Sequence, residues 1–156
     1  MDSSELNKPW LSKPWLIDKV RGVAIRATPE EKIRQKVLKI LIEELFFPKE
    51  YIVVEKALSE LPHLKEKRVP KRRLDILCYF SVQDQLRPLL LIECKKGGLR
   101  NQALTQVSGY NYWVGAPFVA VANQECILLK YLDVVSHEMV IKEGLPSYQD
   151  LITCCK

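Results

Sequence analysis

The chain has 156 residues, of which 47% are apolar and 28% charged, with a net charge of +5; this is the profile of one folded domain, not of a disordered or fibrous chain. No apolar run approaches the ~18 residues of a membrane span, and Lys8, Pro9, Lys13 and Pro14 interrupt any secretory apolar core, so a cytoplasmic location is expected. The five cysteines are odd in number and include no C-x-x-C pair, which argues against a zinc or disulfide framework.

Residues 1–27 read as an arm, because Lys-Pro-Trp-Leu occurs at 8–11 and again at 13–16 and the prolines oppose regular helix. Trp10 and Trp15 are expected to dock on the domain surface. A helix is predicted over 29–46: Thr28 is a good N-cap, Pro29 suits the first turn, and Glu31 completes a capping box. Ile33, Val37, Leu41 and Leu45 recur at helical spacing and give it one buried face. Pro48 ends it. Strands are predicted at 51–58, 73–80 and 88–95, the last two joined by a turn at 81–87 as an antiparallel hairpin. Gly97-Gly98 breaks the chain before a second helix at 101–113. Strands at 118–122 and 127–132 follow around a turn at Asn123-Gln124. Residues 133–156 are weakly patterned and predict only a short helix or loop packed on the same domain. The order over 28–132 is α-β-β-β-α-β-β, an α/β fold with a mixed sheet flanked by helices.

The chemistry concentrates in two of these strands. Arg73-Leu74-Asp75-Ile76-Leu77 opens one, and Leu91-Ile92-Glu93-Cys94-Lys95 closes the next. Residues two apart in a strand share a face, so Glu93 and Lys95 point the same way, about 7 Å apart along the backbone. If the strands are neighbours, Asp75 can join them. Two carboxylates beside an amine could hold a hard divalent cation and an attacking water. Equally, three charges near a strand end can be solvated edge residues. Glu30-Glu31-Lys32 repeats the Glu-x-Lys pattern, but in a helical stretch with no apolar run before it.

Charge is unevenly spread. Residues 1–100 carry 21 Lys/Arg against 14 Asp/Glu, whereas 101–156 carry 3 against 5. Lys65, Lys67, Arg68, Lys71, Arg72 and Arg73 cluster with a single acid, Glu66, immediately before the Asp75 strand. Such a run can be a solvated loop; ahead of an acidic centre it suits a polyanion held through its phosphates. His63 and His137 are isolated and receive no catalytic role.

Taken in order, Thr28-Pro-Glu-Glu-Lys-Ile-Arg-Gln35, Val54-Glu55-Lys56, Arg72-Arg-Leu-Asp-Ile76, Leu91-Ile-Glu-Cys-Lys95, Gln106-Val-Ser-Gly-Tyr110 and Gly115-Ala-Pro-Phe118 resemble the N-terminal nuclease domain of type I restriction enzyme R subunits. That domain belongs to the RecB-like branch of the PD-(D/E)XK nuclease superfamily, and the likeness covers roughly residues 24–132. The resemblance implies a restriction-endonuclease-like sheet and a Mg²⁺-dependent nuclease acting on DNA, with Mn²⁺ as substitute. It implies Asp75 and Glu93 as metal-binding acids, with the Cys94 carbonyl as a further ligand and Lys95 as the lysine of the E-x-K. Gln106 and Tyr110 match the Q-x-x-x-Y motif, while Glu31 and Glu55 stand as additional acids. Lys67, Arg68, Lys71, Arg72 and Arg73 are the expected nucleic-acid contacts. Leu74 replaces the proline that names the superfamily. No G-x-x-x-x-G-K-[ST] phosphate loop is present, so no ATP site is expected here and a motor would come from a partner. Two other classes stay open: a non-catalytic nucleic-acid-binding module on the same fold, and a subunit serving a separate motor or methylase.

Overall fold

Six largely apolar segments assemble into one mixed sheet in the computed structural model, which describes residues 14–99 and 101–155. A two-stranded hairpin precedes it, β1 (Trp15–Ile17) pairing antiparallel with β2 (Ala24–Arg26). Helix α1 (Pro29–Lys39) follows. The sheet strands are β3 (Ile52–Ala57), β4 (Arg73–Val82), β5 (Gln85–Cys94), β6 (Phe118–Ala122), β7 (Ile127–Leu132) and β8 (Met139–Glu143), adjacent in chain order. Helix α2 (Asn101–Val114) crosses between β5 and β6, the one parallel pair; every other pairing is antiparallel. Helix α3 (Tyr148–Thr153) closes the described chain.

The sheet separates two apolar layers. On one face Ile33, Val37, Leu38 and Leu41 pack with Ile76, Ile92, Ala120 and Leu151. On the other, Leu104, Val107, Tyr110 and Val114 of α2 pack with Leu77, Leu91 and Val121, helped by Leu58, Leu61 and Leu64. Strand β6 is buried throughout, as expected for a strand covered on both faces. No helix among the described residues is long and apolar enough to cross a membrane.

From α1 to β7 the observed order is the one the periodicity predicts, and the differences have local causes. The first helix leaves α geometry at Ile40, where Ile40–Glu44 forms a π turn and the Leu45 N–H donates to Ile40 O. The capping box is half made: Thr28 Oγ1 accepts from the Glu31 N–H, but the Glu31 carboxylate turns to Arg34. The β4–β5 hairpin is longer than predicted. Its turn is two residues, Gln83 and Asp84, both at positive φ, the geometry of a tight hairpin. Pro88 lies inside β5, tolerated because the ladder is irregular between Cys78 and Tyr79, opposite it.

Two elements were not visible in the sequence. The arm contains the β1–β2 hairpin, and Trp15 is 61% exposed instead of docked; Trp10 lies outside the described residues. The weakly patterned 133–156 supplies the short helix expected there, α3, and also β8, which extends the sheet by one edge strand. The Tyr148 N–H donates to Leu45 O, and Phe47 and Tyr148 meet edge-on with centroids 5.3 Å apart.

Candidate active site

Strands β4 and β5 separate where the acids sit. Their ladder runs to Ile76↔Ile92; one step further Asp75 would face Glu93, and like charges directly opposite in a sheet repel. The Asp75 carboxylate fills the opening instead. Its Oδ2 accepts the Cys94 backbone N–H at 2.7 Å, so a side chain replaces a ladder bond and is held by the backbone. Lys95 follows β5 with its own N–H on Ala122 O, and its Nζ is 3.8 Å from Glu93 Oε1. From α2, the Tyr110 hydroxyl donates to Glu93 Oε2 at 2.5 Å. Burial, then the Asp75 charge, push the Glu93 carboxyl above its ordinary value; Tyr110, Lys95 and Arg72 pull the other way. Burial and the neighbouring Glu93 charge push the Tyr110 phenol well up, so it serves as a donor.

On the α1 side one guanidinium organises the acids. Arg34 Nη2 donates to Asp75 Oδ1 at 2.7 Å, and Nη1 is 3.0 Å from Glu55 Oε1 and also bonds Glu31 Oε1. Burial, then the repulsion of Glu55, raise the Glu31 carboxyl against the pull of Arg34. Glu55 sits below its ordinary value although burial opposes this, because Arg34 and Arg21 both face it. Its φ is +50°, a left-handed conformation costing a non-glycine residue about 1–3 kcal/mol. The chain of charges continues outward: Arg21 Nη1 lies 3.0 Å from Glu55 Oε2, and its Nη2 lies 2.9 Å from Asp18. Asp18, fully buried, also accepts from the Val20 and Arg21 N–H groups and from Gln35. The β1–β2 hairpin is thereby tied to α1 and, through Glu55, to Asp75.

The basic segment borders this centre. Lys67, Arg68, Lys71, Arg72 and Arg73 are exposed and line a cavity of about 510 Å³. Arg72 connects it to the acids: its guanidinium lies over the Tyr110 ring at 4.4 Å and its Nη2 is 3.9 Å from Glu93. Arg73 donates to the Glu55 carbonyl at 2.6 Å. Asp75, Glu93, Lys95 and Tyr110 therefore meet at one place, with Glu31 and Glu55 joined through Arg34. Gln106 borders them on the Lys95 side. It is exposed on α2, lining with Lys95, Lys96 and Gln102 a shallow groove of about 180 Å³. The Cys94 side chain points into the apolar layer behind the sheet, leaving only its backbone at the site.

Among the described residues no three His, Cys, Asp or Glu side chains converge as a complete metal cage. The donor set nevertheless fits magnesium, which takes one or two carboxylates and keeps waters in its remaining positions.

The model for the type I restriction enzyme R protein N terminus matches residues 29–146. The chain belongs to this family. The matched stretch begins with α1 and takes in β8, and it leaves the β1–β2 hairpin outside. In fold, the chain is similar to a fragment of a chain assigned as the HsdR subunit of a type I restriction enzyme from Vibrio vulnificus YJ016, with a TM-score of 0.51 at 18% identity. The likeness covers 78% of this chain and 24% of that one, so this chain spans about a quarter of that fragment. No curated protein matches it. Within the R-subunit frame, sequence reasoning assigned no role to Arg21 or Asp18 and left that of Arg34, in the first-helix motif, open. Arg34 did carry a signal: an arginine on the apolar face of α1, one residue from Ile33 and three from Val37, has to find buried acids.

Proposed function

We propose that this domain is a Mg²⁺-dependent nuclease that hydrolyses DNA phosphodiester bonds. The observation that carries the proposal is the convergence of Asp75, Glu93, Lys95 and Tyr110 beside the basic 67–73 segment, with Arg72 touching both. Asp75, Glu93 and the Cys94 carbonyl would hold the cation, Mn²⁺ serving in its place. Bound there, a magnesium ion supplies an acidified water and positive charge against the phosphate oxygens.

The residues have distinct tasks in this scheme. The Cys94 N–H fixes Asp75 Oδ2, so that carboxylate does not rotate. Tyr110 fixes Glu93 Oε2 and favours its ionised form. Lys95, tethered at its backbone and with its ammonium beside Glu93, orients the attacking water or neutralises the scissile phosphate. Lys67, Arg68 and Lys71 draw the flanking phosphates, and Arg72 leads from that cavity to the acids. Catalysis would rest on positioning and charge, not on a covalent intermediate.

Cleavage of supercoiled plasmid in Mg²⁺, comparing wild type with Asp75→Ala and Lys95→Ala, tests the proposal. Nicking by the wild type and loss of at least a hundredfold in both variants supports it; equal nicking by all three refutes it. A second reading is favoured by the R-subunit family and the quarter-length match: the domain works with DNA-translocating or methylating partner subunits. Cleavage that appears only after a motor subunit and ATP are added would support that arrangement.

A further inference from the structure

Arg34 is the one buried cation among the described residues, and its surroundings are short of positive charge. Asp75, Glu31 and Glu55 all face its guanidinium. Arg21 also faces Glu55 as well as Asp18, so the network sets four carboxylates against two guanidiniums and is two positive charges short, the charge of one divalent ion. Two buried atoms of the cluster, Glu31 Oε2 and Arg34 Nε, also lack a hydrogen-bond partner, and a buried ionic cluster left incomplete is costly. The guanidinium stands on an oxygen, Asp75 Oδ1, that a second cation would use.

Resting on the metal-site reading above, we propose that Arg34 is a displaceable counter-ion of Asp75. A divalent cation takes Asp75 Oδ1 from the guanidinium, which then rests on Glu55 and Glu31. The geometry suits such an exchange. Asp75 Oδ2 stays bonded to the Cys94 N–H, so only one oxygen changes partner and the carboxylate keeps its place. Nη1 already bonds Glu31 and faces Glu55, so the fork shifts its weight without moving α1. Ile33 and Gln35, buried on either side, fix that stretch of the helix. Arg34 is thus a positioning residue: it keeps Asp75 oriented between ions, and it weakens cation affinity by competing for the same oxygen. A singly charged ion gains too little at Asp75 to displace a guanidinium held at 2.7 Å, which selects divalent ions.

The test titrates the full chain, freed of metal, with Mn²⁺, following the free ion by electron paramagnetic resonance. Wild type is compared with Arg34→Met and Asp75→Asn, and circular dichroism monitors folding. We expect Arg34→Met to bind Mn²⁺ at least tenfold more tightly than wild type. Equal or weaker binding would overturn the counter-ion role while leaving the metal site standing. Mn²⁺ binding that Asp75→Asn does not weaken would remove the metal site itself, and the proposal with it. Should Arg34→Met fail to fold, the wild type decides: with ¹⁵N-labelled arginine, the Arg34 Nη resonances must shift as Mg²⁺ saturates the site. Resonances unchanged through saturation overturn the proposal.

Discussion

The hydrogen bond from Tyr110 to Glu93 can be removed without disturbing the packing around it, which makes Tyr110→Phe a sharp test of the site. The ring stays beneath Arg72 and against the α2 layer; only the hydroxyl goes. Tyr110 is 6% exposed and the Glu93 side chain 12%, so water does not readily replace the lost donor. A bond to a charged acceptor contributes about 1.5–3 kcal/mol. For a chain of this length each kcal/mol moves the melting temperature by about 2–4 °C, so the variant should melt about 3–12 °C lower at pH 8 without metal. The deficit should also depend on pH. The bond favours ionised Glu93, so its loss raises the folded-state value further above the unfolded one near 4.5. The deficit is therefore full while Glu93 is ionised in both proteins and narrows as pH falls through the raised values toward 4.5. Thermal melts followed by circular dichroism at several pH values between 5 and 8 measure this. Coincident melts at pH 8 would refute the assigned bond.

Glu93→Gln should raise the melting temperature of the metal-free protein at neutral pH while abolishing cleavage. The folded-state value of Glu93 lies above its unfolded value, so its contribution to stability is complete below about 4.5 and is lost as pH rises through the raised value; glutamine removes that loss. Asp18→Ala should cost on the order of 2–3 kcal/mol in chemical denaturation, because Gln35 and two backbone N–H groups lose a buried acceptor. Arg21 would also lose an anchor, so its hold on Glu55 should loosen. Neutralising Lys67, Arg68 and Lys71 together should weaken DNA binding for all sequences alike. The slope of log affinity against log salt should fall by roughly 0.9 for each phosphate no longer neutralised, as read by fluorescence anisotropy across a salt series.

The strands and helices from α1 to β7 were legible because each has a strong period and clear punctuation: Thr28-Pro29 starts α1, and Gly97-Gly98 separates β5 from α2. Strand β8 was not, because an edge strand needs no apolar alternation; Met139 and Ile141 are about half exposed. The β1–β2 hairpin was hidden for another reason. Its anchor is not an apolar pattern but Asp18, a buried acid whose partners lie in its own turn and in α1. Within the site, Asp75, Glu93 and Lys95 could be named from strand spacing, since period two fixes their face. The partners of Arg34 and Arg72 could not, because nothing in one sequence reveals which distant acid an arginine will reach. Gln106 shows the converse limit. Its four-residue spacing from Tyr110 puts both on one helix face, yet only Tyr110 lies over the sheet.

A crystal soaked in Mn²⁺ and measured at the manganese absorption edge tests the central claim most directly, since anomalous scattering locates the ion without reference to activity. The account predicts one peak coordinated by carboxyl oxygens of Asp75 and Glu93, with Lys95 in reach of the same water shell. A fully soaked crystal with no manganese between those two side chains would contradict it.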